Sequence, residues 1–449
     1  MLKQLSSFKF TERDEFNRKP IAEKIIKLLT SDIDLSPMII DGDWGTGKSE
    51  FCHKLINKFR AEHTDAQILY IDAFQADHAD NPLMTIIAEI MTLIPDEPKK
   101  KGFLKKALPV IRYGTKAVLK AGVSHIMKES ADSIADGFEK EIQDAANTAI
   151  DATVTALLKD HEEAEKNLKA LQILLTELAQ DNPIIIFIDE LDRCRPDFSV
   201  HMLEVIKHTF NVENVKFILV TNSNQLKAAI NHAYGASIDA TRYLDKFIKF
   251  TIKLPENVIS SSYNEPKLAS IEYFDQLVQN SPILNTTQLN ASGTSVFHFT
   301  HKLIQTKKLS LREVETFIRH LEIANILNIK MDKSKVFGYI LLDILAIFID
   351  CFEPLLKMSI YQQNIDASDL LALIDLENSK DLQINGMTAI VIWLASGASV
   401  NQENSLNRIQ ELDEDNKYNP LEQQLFEWRY RGISYFDPII KTIDTLHLR

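Results

Sequence analysis

An α/β fold built on a mostly parallel sheet is predicted by three features of the sequence. Four continuous apolar runs are separated by helical stretches, a glycine-rich loop follows the first run directly, and a long helical interruption lies between the second and third.

Residues 20–30 (PIAEKIIKLLT) open with proline and repeat apolar positions at helical spacing, so they read as a helix. Pro37 to Ile40 reads as a short buried strand that runs straight into the glycine-rich turn. Further strands are expected at Gln67–Ile71, Ile184–Ile188 and Lys216–Thr221, each an apolar run of the kind buried on both faces. From about Pro82 to Gln180 the chain is helical in pattern and far longer than the dozen or so residues a crossover needs, which makes it an insertion. Its first half carries Lys99, Lys100, Lys101, Lys105, Lys106, Arg112, Lys116, Lys120 and Lys128 with no acid, whereas from Glu129 it turns acidic and alanine-rich. Past Glu256 the text is polar through Ser295, helical at Leu309–Leu327, and mostly helical over 331–449. The expected organisation is therefore a core of 1–81 and 181–255, a helical insertion of 82–180, a lid-like helical subdomain of 256–330 and a C-terminal, mostly helical domain of 331–449.

With 45% hydrophobic and 25% charged residues, the chain has the composition of an ordinary globular protein able to bury a core without staples. Cys52, Cys194 and Cys351 lie far apart with no CxxC or Cys/His cluster, so neither a disulfide framework nor a zinc site is indicated. The N-terminal residues carry charges where an export signal would need an apolar core, and a cytoplasmic location is expected. Val336 to Phe352 is the most membrane-like stretch. It is short for a span and holds Asp343 and Asp350, each worth ~2.5–3.5 kcal/mol against insertion at mid-bilayer, so it reads as a buried helix. A formal net charge of −13 argues against coating nucleic acid or anionic lipid with the whole protein.

The chemistry is concentrated in Gly42-Asp43-Trp44-Gly45-Thr46-Gly47-Lys48-Ser49, which matches GxxxxGK[ST] between a strand and a helix. In such a loop the glycines let backbone N–H groups curl around a β-phosphate, Lys48 reaches β and γ oxygens, and the Ser49 hydroxyl ligates Mg²⁺. Gly42, Trp44, Gly45, Thr46, Gly47, Lys48, Ser49 and Glu50 form the expected nucleotide cradle. A carboxylate is then needed at the end of a buried strand, and Ile184 to Ile188 delivers Asp189 as a metal-holding acid with Glu190 beside it to orient or deprotonate the attacking water. The competing reading makes Glu190 a helix cap or an ion-pair partner of Arg193 or Arg195. Asn222, past the last strand, is a candidate γ-phosphate sensor, and Asn224 is read as a helix cap. Thr221 to Asn224 lacks the lysine and aspartate of a guanine-selective NKxD sequence, so ATP is the expected nucleotide.

The run GxWGxGKS (Gly42–Ser49), IDELDRCRPDFSVHMLEVIKHTF (Ile188–Phe210), VKFILVTNSNQLKAAI (Val215–Ile230) and YLDKFIKFTIKLP (Tyr243–Pro255) resembles the KAP family of P-loop NTPases over roughly residues 10–330. The resemblance implies that Asp192 and Arg193 join the edge of the site. It also implies an insertion before the Asp189 strand that in relatives often carries membrane spans, which this chain lacks, and an aspartate in the family where this chain has Asn222. Bacterial members recur in mobile elements and phage-resistance systems, which suggests a setting in antiviral defence. Arg193 reads equally as a charge stabiliser for a neighbouring subunit or as a partner of Asp192 or Asp197, and the structural pairing is preferred for Arg195. Arg312 is a candidate γ-phosphate reporter set against an ordinary solvated helix residue.

Two functions are weighed: an ATPase that works as a conformational switch or motor, and a nucleotide-dependent scaffold that recruits a partner through 331–449 with negligible turnover. A protein partner or self-association is expected either way. At about 100° per residue, Lys101, Lys105, Arg112 and Lys116 share a helix sector beside Leu104, Leu108, Ile111, Val118 and Ile126. Segment 99–128 could thus lie against an anionic membrane at its inner face, or fold against the acidic segment 129–165.

Overall fold

A computed structural model describes residues 8–105 apart from 15 and 80, together with 107, 110, 166, 168–259, 266–376, 385–405, 407, 418–426 and 434–448. The chain divides into two compact units, Met1–Pro255 and Glu256–Arg449.

The first unit begins with α1 (Lys19–Leu29), whose Ala22, Ile25, Ile26 and Leu29 fall at helical spacing and form one buried stripe. Then come β1 (Met38–Asp41), α2 (Lys48–Glu62) and β2 (Gln67–Asp72). They are followed by α3 (Pro82–Met91), β3 (Ile184–Asp189), α4 (Pro196–Thr209), β4 (Val215–Thr221), α5 (Ser223–Tyr234), α6 (Ala240–Leu244) and β5 (Phe250–Lys253). The five strands form one parallel sheet in the order β2-β3-β4-β1-β5. The four strands expected from the apolar runs are present. β5 is additional, and it lies at the sheet edge with Phe250, Thr251 and Lys253 exposed.

Side chains on a strand alternate between faces, and this sheet divides its core accordingly. Ile184, Ile186, Ile188, Phe217 and Leu219 belong to one buried cluster, and Ile185, Phe187, Ile218 and Val220 to the other, the one that takes in α1 and α2. The first cluster also takes in Phe103, Ala107 and Val110 from one leg of the insertion and Leu171, Leu175 and Ala179 from the other. In the helical residues 97–105, Lys101 and Lys105 are exposed while Phe103 is buried. Phe103, Ala107 and Val110 face inward and Leu104 of the expected apolar sector is half-buried, while Leu108 and Ile111 of that sector lie outside the described residues. Arg112, Lys116, Val118, Ile126 and the acidic segment 129–165 lie outside the described residues.

The second unit opens with an antiparallel pair, β6 (Asn257–Ile259) and β7 (Pro266–Leu268), and continues through α7 (Ala269–Asn280), α8 (Ser295–Lys307) and α9 (Leu311–Ile326). The next helices are α10 (Phe337–Phe352), α11 (Pro354–Tyr361), α12 (Ala367–Ala372), α13 (Gly386–Ala395), α14 (Tyr418–Leu425) and α15 (Asp437–Leu446). The two pieces that the sequence separates at 330 are one compact unit here. At its centre α10 buries every residue from Ile340 to Ile349. Gly338 is required there, since a Cβ would stand 2.2 Å from the Leu425 carbonyl oxygen. Among the described residues no helix is long and apolar enough to cross a membrane.

Candidate functional site

The parallel register brings the carboxyl ends of three strands level: Asp41 of β1 pairs with Thr221 of β4, and Asp189 of β3 pairs with Val220. Open α/β sheets bind ligands at this edge. The glycine-rich loop leaves β1 here, with the Gly42 N–H donating to the Thr221 carbonyl at 3.3 Å. Gly45 (φ +74°) and Gly47 (φ +79°) take left-handed conformations that glycine alone adopts without strain, and Gly47 caps the start of α2. A Cβ on Gly42 would sit 2.9 Å from the Thr46 hydroxyl oxygen.

Lys48 is 9% exposed, and its ammonium donates to the carbonyls of Gly42 (2.8 Å) and Asp43 (3.1 Å), folding back over the loop it belongs to. Burial lowers its pKa, opposed by the charges of Asp192, Asp189 and Asp41. Asp189 is 1% exposed. Its carboxylate accepts from the Glu190 N–H (2.8 Å) and the Tyr70 hydroxyl (3.0 Å), and the nearby Ser49 hydroxyl also favours its charged form. Burial outweighs these bonds and pushes the Asp189 carboxyl from an ordinary 3.8 up to about 6. A buried, undercompensated carboxylate with the Ser49 hydroxyl nearby is a donor set that suits Mg²⁺, which takes one or two protein oxygens and completes its shell with phosphate and water.

Glu190 has φ +60°, a conformation that costs a residue other than glycine roughly 1–3 kcal/mol. It is held by its N–H, which also reaches the Val220 carbonyl (3.3 Å), and by its own carbonyl, which accepts from the Arg193 N–H (3.1 Å). The Glu190 carboxylate pairs with the Arg193 guanidinium at 3.1 Å. The alternative of an Arg193 partner is therefore the one observed, and Arg193 pairs with neither Asp192 nor Asp197. Arg195, expected to pair with Asp192 or Asp197, instead pairs with Asp77, 118 residues earlier, at 3.0 Å.

Asn222, the sensor candidate, is 5% exposed and already committed twice. Its side-chain oxygen caps α5 by accepting from the Asn224 and Gln225 N–H groups, and its amide donates to the Asp43 carboxylate at 3.1 Å. The cap is thus Asn222 and not Asn224, because the helix starts two residues earlier than the sequence suggests. Glu50 turns its carboxylate to Lys54 at 2.7 Å rather than to the loop. Arg312 is exposed on α9 in the second unit.

Two connections escape any local pattern. Asp192 accepts from the indole N–H of Trp44 (2.5 Å) and from the Thr221 hydroxyl (3.1 Å), tying the loop to β4. Tyr70 reaches Asp189 across 119 residues of sequence, and burial beside that acid raises its own pKa. The family resemblance placed Asp192 at the edge of the site without its partners, and nothing local announced the second connection.

No curated protein sequence matches the chain significantly. Among solved structures, the Aeropyrum pernix ORC2 protein in its ADPNP–ADP complexes is similar at 14% identity with a TM-score of 0.30, over 96% of this chain and 86% of that one. Residues 18–328, well over half of the chain and including every group described at the sheet edge, match the KAP family P-loop domain, and the chain belongs to that family of P-loop NTPases.

Proposed function

We propose that the chain binds ATP with Mg²⁺, hydrolyses it, and uses the turnover as a conformational switch. The observation that carries this reading is the place of the phosphate loop beside Asp189: the loop leaves β1 at the strand ends, where the Gly42 N–H bonds the Thr221 carbonyl, and the Asp189 carboxylate at the same edge is 1% exposed and drawn up to about 6 by desolvation. Ser49 and Asp189 would hold Mg²⁺, which when bound neutralises charge on the phosphate oxygens. Lys48 exchanges its two carbonyl partners for β and γ oxygens, and the left-handed turns at Gly45 and Gly47 leave backbone N–H groups to meet the phosphates. Glu190 accepts a proton from, or orients, the attacking water once its carboxylate parts from Arg193. Asn222 carries changes at Asp43 into the start of α5.

One observation favours the second reading, a scaffold that binds nucleotide with negligible turnover: the Glu190–Arg193 ion pair occupies the presumptive catalytic acid. Phosphate release by wild type and Glu190→Gln separates the two. The switch reading expects measurable wild-type release and a loss of about a hundredfold in the variant with ATP binding kept; equal, negligible release from both favours the scaffold. Phage plating on cells carrying the same two alleles tests the defence setting, which fails if the alleles protect equally. The proposed partner of 99–128 meets exposed charge such as Lys101 and Lys105, while Phe103, Ala107 and Val110 are taken up by the core. Failure to float with anionic vesicles at low salt would remove a lipid surface from consideration.

A further inference from the structure

Arg18 lies outside every motif of the site and yet touches the phosphate loop. Asp14 fixes its backbone by accepting the N–H groups of Arg18 (2.8 Å) and Lys19 (3.0 Å), which sets the start of α1. The side chain then turns inward and is 4% exposed. Its Nη1 donates to the Thr46 carbonyl at 2.8 Å, and its Nη2 reaches the carbonyl of Pro255, the last residue of the first unit, at 3.5 Å. The guanidinium carbon lies 4.8 Å from the centre of the Phe16 ring. Burial lowers its pKa from 12.5 to about 10, opposed by Glu50 and Asp14, so the group stays charged at neutral pH.

The Thr46 carbonyl belongs to the peptide that joins Thr46 to Gly47. A trans peptide is planar, and its C=O and N–H point in opposite directions. Holding the oxygen outward toward Arg18 therefore fixes the Gly47 N–H on the opposite side. This peptide needs such control, because Gly47 is in the left-handed region, where glycine has the widest choice of conformations. The Thr46 N–H and hydroxyl both go to the Asp43 carbonyl (3.3 and 2.8 Å) and fix the preceding peptide instead. A charge-assisted bond from a buried guanidinium is the restraint that acts on the 46–47 plane from outside the loop.

We propose that Arg18 is a positioning residue for nucleotide binding, which orients the Gly47 N–H by holding the Thr46 carbonyl from behind the phosphate loop. This rests on the reading of that loop as the nucleotide site. Arg18→Gln removes the charge, and Arg18→Lys keeps the charge but replaces the two-pronged fork with a single donor.

The test measures MgATP affinity by calorimetry on the full chain, together with the unfolding temperature without nucleotide and its rise at saturating MgATP. The expected result is an affinity loss of about tenfold or more for Arg18→Gln and a smaller loss for Arg18→Lys. The nucleotide-free unfolding temperature should stay within a few degrees of wild type while the nucleotide-induced rise shrinks. A merely structural residue would show the reverse: a lower nucleotide-free temperature with affinity unchanged. A folded Arg18→Gln that binds MgATP within twofold of wild type overturns the assignment. If that variant does not fold, Arg18→Lys is judged by the same criterion, and failure of both to fold makes Arg18 a stability residue and overturns it as well. Wild type that does not bind MgATP is a different failure, that of the nucleotide site itself.

Discussion

Asp189 of the first unit and Asp343 of the second are both buried, and the two are held in opposite ways. Asp189, in the first unit, is 1% exposed and among the described residues receives neutral donors, the Tyr70 hydroxyl and the Glu190 N–H. The nearby ammonium of Lys48 is turned to two carbonyls of its own loop. Asp343, in the second unit, is 6% exposed and is joined by the ammonium of Lys335 and the hydroxyl of Thr442 at 2.7 Å. Burial raises the pKa of both carboxyls, but at Asp343 a built-in cation opposes it. A buried charge is tolerated when it is paired, and a protein that leaves one with neutral donors alone leaves room for a cation from outside. On the proposed reading the first aspartate receives Mg²⁺, while the second, paired from within, holds the fold.

The sharpest way to break this contrast is to neutralise Asp189. Asp189→Asn should lower MgATP turnover by about a hundredfold or more, while stability without nucleotide stays level or rises by about 1 kcal/mol because an undercompensated charge is gone. Phosphate release and denaturant unfolding are the readouts. A variant that keeps wild-type turnover, or unfolds several kcal/mol more easily, would place Asp189 with Asp343.

The mirror experiment is Lys335→Met, which strands the Asp343 carboxylate. It should cost about 2 kcal/mol of stability, below the full value for a buried pair because the Lys335 side chain is 30% exposed, with MgATP affinity unchanged. Unfolding at unchanged midpoint would show the second pair to be idle.

A finer test uses pH. Because folding raises the Asp189 pKa from 3.8 to about 6, the native state binds more protons than the unfolded state between those values. This group's contribution to stability therefore falls as pH rises through that window, and the loss is complete above about 6. Catalysis needs the ionised form, so kcat/KM should drop as pH falls through about 6. Tyr70→Phe removes a donor to the carboxylate and should move that limb upward in pH; a downward shift or none would mean that the limb belongs to another group.

The parts of this site written in consecutive residues were legible in the sequence. The apolar run Ile184–Ile188 announced a strand buried on both faces, its end announced Asp189, and the spacing of Gly42, Gly47, Lys48 and Ser49 announced the loop. β5 was not among the expected strands, because an edge strand with exposed Phe250, Thr251 and Lys253 lacks the continuous apolar signal of the inner ones. The links that set the loop's shape were equally silent, because they are made by single polar side chains far away in sequence. Arg18 acts across 28 residues, Tyr70 across 119 and Asp192 across 148, and a lone arginine, tyrosine or aspartate has no spacing to betray it. The cap on α5 was misplaced for a different reason: two asparagines two residues apart are chemically equal candidates, and only the observed helix start selects Asn222.

The two legs of the insertion are pinned on one face of the sheet, with Phe103, Ala107 and Val110 on one side and Leu171, Leu175 and Ala179 on the other. The chain between them is closed at its base by the core itself. Lengthening a closed segment adds only a logarithmic entropy term, about 0.6 kcal/mol for each doubling. Doubling or halving the length of chain between the two legs should therefore change the stability of the nucleotide core by only about 0.6 kcal/mol, provided that the six apolar residues at their base remain.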